Sequence, residues 1–340
     1  MDAFVDLFAD RQELQWMLEE LGLAQPGEVP EPVLLTGGVS SSVFKVDLRS
    51  GVVCVKQGLP KLKVEKDWQV PTSRVFAEID WLTVAQTIIP DHVPQLLGAD
   101  RVRRAFVMEY FTGLPSWKDE LLTGVVRPEI GTLVANALGR VHASTAGDIE
   151  CAERFANDAN FFALRLEPYL VEAARVHLDL APALIALVHT TQTTPLALVH
   201  GDISPKNILL KENGTPVLID AECAVYGDPA FDLAFLLNHT LLKAAHLSAS
   251  EGPLLGLYSR IASDYLPHIR WEDPCDFDRR CARMIGGLML ARIDGKSPVE
   301  YLDETARTRV RATARSLVQS PPDGVKQLLS QWSAVMAEQR

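Results

Sequence analysis

Cysteine is sparse in this chain of 340 residues. There are five, Cys54, Cys151, Cys223, Cys275 and Cys281, widely scattered, with no CxxC pair and no Cys/His cluster. That pattern argues against a disulfide framework or a cysteine-ligated zinc site and predicts reduced thiols. No uninterrupted apolar run reaches the length that spans a bilayer. Basic residues are outnumbered, 33 Lys and Arg against 44 Asp and Glu, for a formal net charge of -11. A nucleic-acid partner needs a basic face, so none is expected. The acidic balance is compatible with cationic substrates and says little more. The stretch MDAFVDLFADRQELQWMLEELGL lacks a basic-then-apolar leader pattern, and a cytoplasmic location is the expectation. Gly/Ser linkers, charge blocks and fixed-period repeats are also missing.

What is present is a chain with 47% hydrophobic and 23% charged residues, long enough for two lobes at roughly 150 residues per domain. Apolar positions at Phe4, Leu7, Phe8, Leu14, Met17, Leu18 and Leu21 predict one or two amphipathic helices. Residues 33–48 and 51–57 read as strands around a glycine turn and a second turn at Gly51. Helical spacing follows over 73–86, then two more strands at VPQLLGAD and RAFVMEYF. Beyond Phe111 the character is helical: TLVANALGRVHAS, the Leu- and Ala-rich stretch 164–190, and much of 231–339. The lobes are expected to be 1–108 and 114–340, joined by a hinge over 109–113, with the active site in the cleft between them.

The chemistry sits in HGDISPKNIL (200–209) and VLIDAECAVYGDPAFDLAF (217–235). Asp202 precedes Asn207 by five residues, and Asp220 ends an apolar, strand-like run. Phosphoryl transfer from a nucleotide requires a carboxylate to orient the hydroxyl nucleophile, and oxygen ligands to hold magnesium. Asp202 is the candidate for the first role, accepting the proton late. Asn207 and Asp220 are candidates for the second, with Glu222 on the same side as Asp220 as a further or indirect ligand. Lys206, in the loop, is placed to meet the γ-phosphate. His200 is expected to pack beside the loop, and Asp232 to tie it to the next helix N-terminus. Upstream, Lys56 ends the buried run VVCVK, where a lysine can neutralise the α- and β-phosphates. Glu78 on the following helix is its expected partner, with Glu65 a competitor in an apparent loop. TGGVSSS (36–42) lies between two strands, where glycines allow close approach to phosphate. It lacks the GK[ST] ending of a P-loop.

These segments resemble the aminoglycoside phosphotransferase and choline kinase group, which shares the protein-kinase-like fold. The resemblance implies an α+β, two-lobed architecture: a small, mostly antiparallel β N-lobe and a larger, mainly helical C-lobe. It implies ATP or GTP held near Met108, Glu109, Tyr110 and Phe111, with Gly37, Gly38, Ser41 and Ser42 over the phosphates, and Mg2+. The run VKQGLPKLKVEKDWQVPTSRVFAE, with its KQ, LP and Trp68, and the DAE of 220–222, are similar to methylthioribose kinases. HGDISPKNIL departs from their usual catalytic loop, and their sugar-side arginine pair has a partial match around Arg283. The implied acceptor is a hydroxyl of a small metabolite, a sugar or sugar-like compound. Two alternatives remain open. One is an aminoglycoside kinase, reading a polycation with Asp148, Glu150, Glu153, Asp158, Glu167 and Glu172. The other is a catalytically silent nucleotide-binding module, disfavoured by the intact set of five site residues. Without HRD, DFG and APE landmarks a protein kinase is not expected. Acceptor-side candidates after Asp232 are Asn238, His239, Arg283 and Arg292.

Overall fold

The computed structural model describes residues 4–35, 41–59 and 74–338, which divide into two compact units, Met1–Gly113 and Leu114–Arg340. Gly37, Gly38, Glu65 and Trp68 lie outside the described residues.

The first unit is built on one antiparallel five-stranded sheet of order β1-β2-β3-β5-β4. The strands are β1 (Glu31–Leu34), β2 (Ser41–Leu48), β3 (Gly51–Gly58), β4 (Leu96–Asp100) and β5 (Ala105–Glu109). Leu48 pairs with Gly51, so only Arg49 and Ser50 turn the β2–β3 hairpin, and Gly51 takes a positive φ of 133°. Helix α1 (Arg11–Glu20) starts where the Asp10 side chain accepts from the backbone N–H groups of Gln12 and Glu13, both at 3.1 Å. Its Leu14, Met17 and Leu18, at helical spacing, join Phe44, Val46, Val55 and Val107 in one core. Gln57, fully buried beside Lys56, fixes the N-terminal segment to the sheet. Its Oε1 accepts from Leu7 N (3.0 Å) and its Nε2 donates to the carbonyls of Val5 (2.8 Å) and Arg103 (3.0 Å). Helix α2 (Arg74–Ile88) buries Val75, Ile79, Trp81 and Leu82 together with Glu78. One expectation shifts here. Ser41 and Ser42, read from sequence as part of a turn, are buried in β2, paired with Gly58 and Gln57; the ladder bonds extend the strand to them.

The second unit is mainly helical. It opens with α3 (Trp117–Leu122) and α4 (Pro128–Thr145), then two short helices, α5 (Ile149–Arg154) and α6 (Asp158–Phe161). From Phe162 to Val171 the backbone winds as a wide π-helix with Pro168 inside it, where a regular α-helix would miss a donor and clash. Thus the uniform helical stretch expected over 164–190 is three pieces: this segment, α7 (Glu172–Val176) and α8 (Ala181–Gln192). Four short strands follow. β6 (Ala197–Val199) pairs with β9 (Val225–Gly227), and β7 (Ile208–Leu210) with β8 (Pro216–Leu218). Helices α9 (Ala230–His246), α10 (Glu251–Tyr265), α11 (Pro274–Asp294), α12 (Glu304–Gln319) and α13 (Val325–Glu338) complete the unit. Helix α9 is its central rod, with every residue from Ala230 to Ala245 buried. Apolar residues spread over every face of it favour that position. Each of its buried leucines contributes about 1.5–3 kcal/mol of apolar transfer. No helix among the described residues is long and apolar enough to cross a membrane.

Candidate active site

In the first unit the decisive contact is an ion pair. Lys56, on β3 opposite Val43 and Phe106, places its Nζ 2.5 Å from Glu78 Oε2 on α2. Both side chains are buried. The local reason is register. Lys56 falls among the buried positions 53–58 of a strand flanked on both sides, and Glu78 lies one turn into a helix whose neighbours Val75 and Ile79 are in the core. A carboxylate beside a buried ammonium repays part of its desolvation. Cys54, two residues before Lys56, is pushed up to about 12 by burial and stays a thiol. Met108 and Glu109 close β5, and Tyr110 and Phe111 follow it, half-buried.

In the second unit, the loop between β6 and β7 carries Asp202. The turn that aims it depends on Gly201, whose φ is +78° and whose missing Cβ would fall 2.7 Å from the carbonyl oxygen of Cys223. No other residue fits there without moving backbone. Asp232, in the first turn of α9 and fully buried, accepts from the N–H groups of His200 (2.7 Å) and Gly201 (2.9 Å). Its Oδ2 also lies 3.3 Å from His142 Nε2, while His142 Nδ1 meets the Tyr265 hydroxyl at 2.6 Å. The carboxylate therefore locks the loop onto the helical core. His200 Nδ1 accepts from Asp202 N at 3.2 Å, and burial keeps this imidazole below its ordinary pKa, as a neutral ring must be to accept.

Asp202 itself is 4% exposed, and three groups converge on its Oδ2: Arg165 Nη2 at 2.8 Å, Asn207 Nδ2 at 2.8 Å and Lys206 Nζ at 3.4 Å. Asn207 Nδ2 also donates to the Asp202 carbonyl at 3.0 Å. With the amide nitrogen turned to Asp202, the amide oxygen of Asn207 is the atom left for a cation. Lys206 is half-exposed, and the charge of Asp202 raises its pKa, so it stays an ammonium at neutral pH. Asp220 stands two residues beyond β8 at φ +68°, a left-handed conformation that Asp tolerates better than most residues. Its charge acts on both His200 and Lys206. Glu222 is buried, and its charge acts on Arg165. Among the described residues no three His, Cys, Asp or Glu side chains converge as a ready-made metal cage. The donors at hand, one amide oxygen and carboxylates, are all hard oxygens. They suit magnesium, which draws one or two carboxylates from a protein and completes its shell from nucleotide phosphates and water.

Arg165 is the residue that sequence reasoning misses. It sits on the π-helical segment, where its Nε donates to the Gly201 carbonyl at 2.5 Å and its Nη1 to the Leu164 carbonyl at 2.7 Å. Burial opposes its charge, yet the neighbouring Asp202 raises its pKa further. The signal was a lone arginine inside the apolar run FFALRLEPYL. Beside Asp202 opens a cavity of about 190 Å3 walled by residues of this unit, among them Tyr169, Phe235, His239, Arg292 and Tyr301. His239 and Arg292, acceptor-side candidates from the sequence, line it. Asn238 is buried on α9 and does not line it, and Arg283 is exposed on α11. Three of the six acids over 148–176 that an aminoglycoside would need are engaged elsewhere. Asp148 caps α5, while Glu167 and Glu172 pair with Arg175, and Glu167 also with Lys296.

A model of the phosphotransferase enzyme family matches residues 32–256. The chain belongs to that family. Its relatives include the methylthioribose kinase of Erwinia tasmaniensis, 26% identical over 265 residues, 69% of this chain and 66% of the relative. That of Yersinia enterocolitica is 26% identical over 285 residues, 73% of this chain and 70% of the relative. The match thus spans just under two thirds of the Erwinia enzyme's length. Among solved structures, an amicoumacin kinase with AMP-PNP and Ca2+ is similar at a TM-score of 0.53 and 15% identity, over 93% of this chain and 96% of that one. An ethanolamine kinase from Plasmodium vivax is similar at 0.52 and 14%, over 95% and 87%. At such identities the likeness shows the fold: a small antiparallel-sheet unit followed by a helical one, as in small-molecule kinases. Family membership and fold agree: the chain carries the kinase-like fold of this family.

Proposed function

We propose that the protein is an ATP- and Mg2+-dependent kinase that moves the γ-phosphoryl group to a hydroxyl of a small metabolite, a sugar or sugar-like compound. One observation carries this reading: a buried carboxylate, Asp202, with three donors on one oxygen, at the wall of a cavity of about 190 Å3. That volume lies below the roughly 300–1,000 Å3 of pockets for drug-sized ligands and suits a small polyol. In this reading Asp202 orients the acceptor hydroxyl and takes its proton late, and Lys206 meets the charge developing on the γ-phosphoryl oxygens. Arg165 and Asn207 position Asp202. Asn207 Oδ1 and Asp220, with Glu222 as a further or indirect ligand, would hold magnesium, whose charge would offset that of the nucleotide phosphates. Lys56, kept in place by Glu78, takes the α- and β-phosphates. Residues Met108 to Phe111 adjoin the base, with 109–113 as the hinge, and Ser41 and Ser42 contribute to the phosphate site. GTP could replace ATP in this scheme.

The test is nucleotide consumption by the purified protein with magnesium against sugars, amino alcohols and aminoglycosides. Asp202→Asn, which keeps the shape beside buried Arg165, should retain nucleotide binding and lose about 10²–10⁴ in kcat. Unchanged turnover in that variant would remove Asp202 from the reaction.

A further inference from the structure

The cavity beside Asp202 is basic, although the chain is acidic. Four cations line it, Lys118, Lys206, Lys243 and Arg292, against two acids, Asp202 and Glu300. Lys118 pairs with Glu300, and Lys206 with Asp202, which also holds Arg165. Lys243 and Arg292 are left over. Lys243 lies on the stripe Phe235, His239, Lys243 that α9 turns to the cavity at four-residue spacing. It is 1% exposed, and its ammonium stands 5.3 Å from the ring centre of Tyr301. Among the described residues it has no carboxylate and no hydrogen-bond acceptor. Arg292, at the end of α11, donates through Nη1 to the Ser297 carbonyl, to Ser297 Oγ at 2.8 Å and to the Tyr169 hydroxyl at 3.3 Å, none of them charged. Its Nε, like the buried Nδ1 of His239 and hydroxyl of Tyr301, has no partner among the described residues.

A buried ammonium without an acceptor is a cost that proteins keep only where something repays it. Resting on the kinase reading above, we propose that the acceptor carries an anionic group, a carboxylate or a phosphate, that Lys243 and Arg292 bind while its hydroxyl reaches Asp202. Sugar acids and sugar phosphates fit this chemistry; cationic amino alcohols and aminoglycosides meet two uncompensated positive charges. The groups facing Lys243 agree. Burial, with Lys118 and Arg292 adding to it, depresses its pKa to about 7, and Glu300 offsets this only in part. Burial, with Lys243 beside it, also holds His239 neutral. An arriving anion supplies the countercharge that no side chain provides.

Calorimetric titration with ribose, ribonate, ribose 5-phosphate and choline, in the presence of AMP-PNP and Mg2+, tests the assignment. Ribonate or ribose 5-phosphate should bind at least about tenfold tighter than ribose or choline, a difference of about 1.4 kcal/mol. Which of the two wins distinguishes carboxylate from phosphate. Lys243→Met, and Lys243→Gln as a second variant, should erase that advantage while leaving AMP-PNP affinity unchanged. The proposal is overturned if ribose or choline binds as well as the anions, if neither anion binds, or if the advantage survives both variants. A fall in AMP-PNP affinity on losing Lys243 would overturn it too, by giving the cation to the nucleotide. Selective anion binding with no ATP consumed for any acceptor would instead sink the kinase reading and leave the anion site standing. Turnover of ribose alone would do the reverse.

Discussion

The two units treat a buried lysine in opposite ways. Lys56 in the first is 5% exposed and answered by Glu78 at 2.5 Å, a countercharge that the unit supplies itself. Lys243 in the second is more deeply buried and faces Lys118 and Arg292 with no acid of its own. Lys56 is thus held in one place by its own unit, as the phosphate-binding role proposed for it requires. Lys243 is held by packing alone and gains its partner only from outside. The contrast separates a lysine that is part of the frame from a lysine that waits for a ligand.

Breaking each side of the contrast should change stability in opposite directions. Glu78→Ala removes the carboxylate 2.5 Å from the buried Lys56 ammonium, and should destabilise the fold by about 3–5 kcal/mol in denaturant titration. If stability is unchanged, Lys56 does not depend on Glu78. Lys243→Met replaces an uncompensated ammonium with an apolar chain of similar length, and should raise stability by roughly 1–4 kcal/mol, with anion binding lost. A destabilised variant would show that Lys243 has a structural role instead.

The pH dependence sharpens the same point. Lys243 falls from 10.5 to about 7 on folding, so between those values the unfolded chain binds the extra proton and stability rises with pH. Below about pH 7 both states are protonated, and the cost is present in full. The gain from Lys243→Met should therefore be largest at pH 6 to 7, shrink as pH climbs towards 10.5, and vanish above it. Ribonate has no titration of its own near neutrality. Its affinity for the wild type should fall by up to about tenfold per pH unit above 7, as Lys243 loses its proton. A flat profile in melting curves and titrations would separate Lys243 from both effects. The smallest effect should come from Arg283→Ala. That residue is exposed on α11, nine positions before Arg292, and its loss should stay within about 0.5 kcal/mol and leave acceptor binding intact. A large loss of acceptor affinity there would move the acceptor-binding arginine from Arg292 to Arg283.

Much of the fold is legible in the residues. Apolar and β-branched runs mark β2 and β3, helical spacing marks α1 and α2, and the paired motifs carry the kinase-like reading that the family match supports. Elements whose limits depend on tertiary bonds are less legible. Ser41 and Ser42 look like turn residues until β3 pairs with them, and the wide turn at Pro168 appears as ordinary helix. Arg165 is hidden in the sequence because an arginine in an apolar run becomes conspicuous only once its distant acceptor, Asp202, is beside it.

The sequence alone determined the order of elements, the spacing of Asp202, Asn207 and Asp220, and the placing of Lys56 and Glu78 on successive elements. These follow from backbone periodicity and short-range chemistry, which a linear pattern records. Tertiary structure alone decided the character of the acceptor cavity. The net charge of -11 hints at cationic substrates, yet charge summed along a chain carries no information about which charges face one another. Folding pairs Glu167 and Glu172 with surface cations, pairs Glu300 with Lys118, and leaves Lys243 and Arg292 together without an acid. Coulomb interactions depend on distance through space, and that distance exists only once the chain has folded.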